Sequence, residues 1–239
     1  DKTRAATVTM DLPAYTAVKV EIPVAGVTAG TVAVLVGADG SEKIIQTSSV
    51  TENGLAVTLS DGDTVKIVDN SKTFADVPAS HWASGSVAFA TSRELFSGTS
   101  ETTFDPDSDM TRAMIVTVLA RCYGVDTTTG GEWYEAGAQW AVENGVSDGT
   151  NLDNSVTREQ IVTMLWRLVG SPVVDESVLS SYPDSASISE WAVQAMAWAV
   201  DIGIIAGNDT GKLLPQGNAT RAQVATMLQR YLENAISKS

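Results

Sequence analysis

The pattern that most constrains this chain is a threefold internal echo. Thr-Arg opens an amphipathic segment at Thr111-Arg112, at Thr157-Arg158 and at Thr220-Arg221. Upstream of each pair, a Trp and a Gly stand sixteen residues apart: Trp82 and Gly98, Trp133 and Gly149, Trp191 and Gly207. The Gly precedes the Arg by fourteen residues in the first and third copies and by nine in the second. One supersecondary unit used three times argues for a modular architecture.

Each copy reads as helix, loop, helix. Apolar residues follow the Arg at offsets 3, 6, 7 and 10: Ile115, Val118, Leu119 and Cys122; Ile161, Met164, Leu165 and Leu168; Val224, Met227, Leu228 and Tyr231. That spacing is one helix face. The Thr is a good N-cap, because its hydroxyl accepts an orphan backbone N–H. Gln160 and Gln223 complete a capping box, which Met114 breaks in the first copy. A preceding helix is expected over Trp82 to Leu95, Trp133 to Asn144 and Trp191 to Ile202, with Phe89, Trp140 and Trp198 on one face. Gly145 and Gly203 suit the C′ position, where the first copy has Glu94.

Residues 1–70 differ. Short β-branched runs cover Thr7 to Leu12, Val18 to Ile22, Thr31 to Val36, Lys43 to Thr47, Leu55 to Leu59 and Thr64 to Val68. Asp39-Gly40, Asn53-Gly54 and Asp61-Gly62 supply the positive φ of tight hairpins, so the last four runs are expected to form an antiparallel meander. Six strands suggest a small sandwich or barrel. The predicted class is α+β: a small antiparallel β domain (1–70, a spacer), then an all-α part with copies at 73–124, 125–170 and 171–236.

The net charge of -14 argues against nucleic acid and against anionic lipid surfaces. The single cysteine, Cys122, excludes an intrachain disulfide and a Cys-based zinc site, and reads as a buried apolar filler. His81 is the only histidine, which disfavours a His triad or a multi-His metal site. Asp105, Asp107 and Asp109 alternate like the start of a calcium loop, but Met110 and Val116 stand where the loop needs Gly and Glu. No apolar run is long enough to span a bilayer. The opening Asp1-Lys2-Thr3-Arg4 lacks a signal-peptide core, and the chain is read as a mature product or a fragment of something longer.

Phe74-Ala75-Asp76-Val77, His81-Trp82-Ala83, Gly98, Phe104-Asp105-Pro106 and Met110-Thr111-Arg112-Ala113-Met114 resemble, in order and spacing, one S-layer homology module. Tyr182-Pro183-Asp184, Trp191-Ala192, Gly203, Gly207, Leu214-Pro215 and Ala219-Thr220-Arg221-Ala222-Gln223 resemble a second. The copy from Trp133 to Gly170 is shorter and less similar. The resemblance implies three modules in a pseudo-threefold helical bundle. It also implies a non-catalytic job: anchoring a bacterial surface protein, outside the cell, to secondary cell-wall polysaccharide, often through pyruvylated sugars. Grooves between neighbouring modules would use Asp76, Trp82 and Arg112; Trp133 and Arg158; Asp184, Trp191 and Arg221. No cofactor, metal or membrane insertion is implied, and the chain is expected to be a monomer with an internal pseudo-trimer.

The residues themselves fit that chemistry. An Arg at N1 sits beside the positive end of the helix macrodipole, unfavourable by roughly 0.3–1 kcal/mol, so its threefold recurrence calls for another reason. Arg pairs bidentately with a carboxylate, such as that of a pyruvate ketal. Free N–H groups of the helix N-terminus are expected to face the same anion. The alternatives are that the Arg residues pair with acids of neighbouring modules, that the Trp residues are core, and that Asp76 and Asp184 are turn or cap residues. On that reading the repeat is a structural spacer or self-assembly module. The second copy lacks a Phe-x-Asp-Val stretch, and Asp126, seven residues before Trp133, has different surroundings. One or two competent sites are therefore expected, not three.

Overall fold

A computed structural model describes residues 3–9 and 17–236. The chain divides into two compact units, residues 1–105 and 106–238. The fold is mixed α and β, with two small antiparallel sheets.

Seven strands of the first unit build these sheets: β1 (Thr3–Thr9), β2 (Ala17–Pro23), β3 (Thr31–Val36), β4 (Glu42–Ile44), β5 (Ser49–Val50), β6 (Gly54–Ser60) and β7 (Thr64–Asp69). One sheet has the order β1-β7-β3-β4 and the other β2-β6-β5. Val20 lies opposite Val57 and Ile22 opposite Leu55, while Ala33 lies opposite Ile67 in the other sheet. The inward faces meet in one core of Ile22, Ala33, Leu55, Val57, Leu59, Val65 and Ile67. This is the expected sandwich. Of the first expected run, Met10 to Leu12 lies outside the described residues.

The expected meander is wrong. Strands β6 and β7 belong to different sheets, so the Asp61-Gly62 turn carries the chain from one sheet to the other. Alternation marks which face of a strand is buried but not which sheet it joins. Asn53-Gly54 closes the short β5–β6 pair instead, and Gly54 is absent from the positive-φ glycines. Its side chain is missing for another reason: a Cβ there would stand 2.1 Å from the Ile22 carbonyl oxygen. Gly40 and Gly62 do take positive φ, at 81° and 78°.

Helix α1 (Ser84–Ser92) belongs to the same unit as the sandwich, so the division of the chain falls inside the first expected copy rather than before it. Arg93, at the end of α1, explains the attachment. Its guanidinium is fully buried and donates to the carbonyls of Ser48 (2.7 Å), Ala29 (3.0 Å) and Thr31 (3.2 Å). It also lies 3.6 Å from the Phe89 ring centroid. The Asn70 amide donates to the Ser92 carbonyl at 2.6 Å.

The second unit contains α2 (Arg112–Cys122), α3 (Glu135–Glu143), α4 (Arg158–Leu168), α5 (Val193–Asp201) and α6 (Arg221–Tyr231). The apolar face expected after each Arg is buried, except for the half-buried Leu168. Burial pushes the Cys122 thiol up to about 12, consistent with an inert filler. Thr111, Thr157 and Thr220 each cap their helix, with both halves of the capping box present at Gln160 and Gln223. Helices α1, α3 and α5 begin two residues later than expected, which leaves each Trp just outside its helix. All three helices end on a left-handed residue: Glu94 (φ 57°), Gly145 (66°) and Gly203 (78°).

Candidate functional site

Thr-Arg fixes two things at once: a capped helix start and a cation beside it. The segments leading into these starts bridge one another in pairs, at Asp109–Thr220, Thr111–Ser155 and Thr157–Asn218. The bridges place each helix start against the loop of another copy. Arg112 and Ala113 donate their backbone N–H groups to Asn154 and Leu152. Arg158 and Glu159 donate to Gly217 and Pro215, and Arg221 and Ala222 to Ser108 and Pro106. The next N–H in each helix goes to the capping Thr hydroxyl. The expectation of free N–H groups facing an anion is therefore overturned: the first turns of α2, α4 and α6 are used to lock the copies together.

Asp184 also holds a loop. Its carboxylate accepts the N–H groups of Leu213 (3.0 Å) and Leu214 (2.8 Å). Asp76, in the first unit, does the same for Phe104 (2.9 and 3.0 Å) and Asp105 (2.7 Å). Asp105 and Leu214 have φ of 60° and 52°, and Asn151 holds the matching place in the second copy at 52°. All three stand seven residues before their Arg. Such a conformation is unfavourable for Leu214, less so for Asp105 and Asn151, and the paired charge-assisted bonds at Leu214 offset it. Burial opposes ionisation of Asp184, but the Leu213 and Leu214 N–H groups outweigh it and hold the carboxyl below its ordinary value. Asp126 accepts from the Thr128 N–H and hydroxyl, a local turn within its own linker.

The three Trp residues lie at the surface: Trp82 is 64% exposed, and Trp133 and Trp191 are each 54% exposed. A core role is excluded for them. Arg112 and Trp191, from the first and third copies, line one cleft of about 220 Å³ with Ser147, Asp148, Gln160 and Arg167. Arg112 donates from Nε to the Thr150 carbonyl (2.9 Å), and from Nη2 to Ser147 Oγ (3.2 Å) and Asp148 Oδ1 (2.7 Å). Arg158 donates from Nε to the Leu213 carbonyl at 2.7 Å, the matching bond in the next copy. Burial lowers the Arg158 pKa, the Arg230 charge adds to this, and Asp184 opposes it. Arg221 is buried.

Arg167 and Gln160 were not among the expected site residues. A signal existed: Arg121, Arg167 and Arg230 each stand nine residues after a Thr-Arg arginine. Near a helix C-terminus, such a residue reads as an ordinary complement to the dipole. Arg167 and Arg230 donate to the matching carbonyls of Val146 (3.1 Å) and Ile204 (3.4 Å). Among the described residues there is no group of three or more potential metal ligands, at Asp105, Asp107 and Asp109 or elsewhere.

Residues 73–113 and 181–225 match the model of the S-layer homology domain. The second copy lies outside both matches. An amylopullulanase of Thermoanaerobacterium thermosulfurigenes is 28% identical over 180 residues, covering 69% of this chain and 10% of that protein. An S-layer protein of Bacillus thuringiensis subsp. finitimus is 24% identical over 176 residues, covering 66% and 21%. Cell surface glycoprotein 1 of Acetivibrio thermocellus is 24% identical over 161 residues, covering 67% and 5%. The chain thus spans between 5% and 21% of the length of these relatives. S-layer and cell-surface proteins are thus among the relatives of this chain. No helix among the described residues is long and apolar enough to cross a membrane.

Proposed function

We propose that the chain anchors a bacterial surface protein to anionic secondary cell-wall polysaccharide, with pyruvylated sugars as the charged element. One observation carries this reading: an exposed indole, Trp191, shares a cleft with two guanidinium side chains in a chain whose net charge is -14. Local cations beside an aromatic face suit a sugar ring that bears a carboxylate. Residues 125–170 enter as a third, shortened module, since their helix cap and left-handed turn match the other two and Arg158 binds a loop carbonyl as Arg112 does. The pairwise bridges support a pseudo-threefold arrangement within a monomer. Trp82, Trp133 and Trp191 are the proposed platforms and Arg112, Arg158 and Arg221 shape the grooves. Asp184 anchors the loop beside Arg158, and Asp76 anchors the corresponding loop within the first unit.

A second reading, a structural or self-assembly module, is favoured by the Arg112–Asp148 ion pair, an acid of a neighbouring copy meeting a repeat Arg. Sedimentation with purified walls separates the two. Binding to native walls and loss on walls stripped of polysaccharide supports anchoring, with Trp191→Ala weakening it. Equal sedimentation with both wall preparations, or none, sinks it.

A further inference from the structure

Within the cleft the two arginines differ in what they have left to offer. The Nε–Nη2 edge of Arg112 is committed to the Thr150 carbonyl, Ser147 Oγ and Asp148, and its side chain is only 12% exposed. Arg167 is exposed and donates only from Nη1, to Val146. Among the described residues it makes no ion pair. Asp148 is particular to this cleft. Counting from the left-handed residue that ends each preceding helix, its place is taken by Ser97 in the first copy and Ala206 in the third.

We propose that Asp148 withdraws Arg112 from ligand recognition, and that Arg167 is the residue that meets a ligand carboxylate in this cleft. The inference rests on the glycan-binding reading above. A carboxylate offered to Arg112 would approach a guanidinium already neutralised by Asp148 and would face that second negative charge, which opposes binding. Arg167 keeps an unpaired fork able to take two carboxylate oxygens in parallel. Trp191 presents the face on which the ring of the same sugar would lie. Arg112 is then a positioning residue: through Thr150 and Ser147 it fixes the wall of the cleft.

The test uses the whole chain and two probes, a methyl glycoside carrying a pyruvate ketal and the same glycoside without it. The ¹⁵N signals of the Trp191 indole and of the Arg112 and Arg167 Nε groups report binding in this cleft. In wild type the ketal should improve affinity, and Arg167→Gln should abolish that preference, a loss of roughly tenfold or more. Arg167→Lys should restore part of it. Asp148→Asn should strengthen binding of the ketal form by freeing Arg112. Survival of the preference in Arg167→Gln, or unchanged binding of the ketal form in Asp148→Asn, overturns the assignment. A chain that pellets with native walls while the Trp191 signal ignores both glycosides also overturns it. Failure to pellet at all overturns the anchoring reading itself, and this inference with it.

Discussion

The buried carboxylate of Glu159 accepts both the backbone N–H (3.0 Å) and the hydroxyl (2.8 Å) of Ser189. Glu159 sits in the first turn of α4, and Ser189 stands two residues before Trp191. The pair therefore ties the exposed indole to a helix start that is itself bonded to the Pro215 carbonyl. Glu159→Ala leaves two donors without their acceptor and should cost about 1–3 kcal/mol. Beyond stability, Trp191 should become more accessible to iodide quenching and wall binding should fall. A variant with wild-type quenching and unfolding midpoint would show that Ser189 needs no anchor.

Glu94 adopts the left-handed conformation that Gly145 and Gly203 supply in the other copies, and its side chain is exposed. Glu94→Gly should therefore relieve strain and stabilise the protein by about 1 kcal/mol. The expected rise in Tm is roughly 2–4 °C. A fall in Tm on scanning calorimetry would mean that the carboxylate makes a contribution larger than the strain.

Asp184 should give the protein an acid-sensitive loop. Its folded pKa lies below the ordinary 3.8, so its stabilising contribution is present above about pH 4 and is lost as pH falls through the folded value. Asp184→Asn should unfold earlier than wild type at pH 7, and the gap between them should narrow as pH falls from 7 through 3.8 and below. A gap of constant size across that range would remove the carboxylate charge from the explanation.

Deleting residues 1–70 should not be neutral, although none of the repeat motifs lies there. The deletion removes the Ala29, Thr31 and Ser48 carbonyls and leaves the buried Arg93 donors without them. Residues 71–105 should then lose hydrogen-exchange protection. Retained protection in that stretch would restore the spacer reading of the β region.

What the sequence showed clearly was local. Thr111, Thr157 and Thr220 cap where their spacing said they would, because an N-cap depends on four adjacent residues. Strands β2, β3, β6 and β7 were placed nearly to the residue, because alternation is a property of each strand alone. Partnership was less legible. Nothing in the residues around Asp61-Gly62 says that β6 and β7 part into different sheets. Nothing in Thr-Arg says that the N–H groups behind it are taken by carbonyls at Ser108, Asn154 and Gly217. The recurring Arg167 and Arg230 were visible as a spacing, but their position near a helix end already had a sufficient local explanation.

The N–H groups of Arg221 and Ala222 reach back to Ser108 and Pro106, at the very start of the second unit. That bond pattern sets an order of events during synthesis. The segment around Ser108 leaves the ribosome long before its partner exists and must wait for α6. Closure spans about a hundred residues of intervening chain, a contact of high sequence separation and therefore slow to form. A nascent chain that ends before Thr220 lacks the Arg221 and Ala222 N–H groups that the Ser108 and Pro106 carbonyls accept. Helix α6 thus supplies the two donors that tie the first residues of the second unit to its C-terminal part.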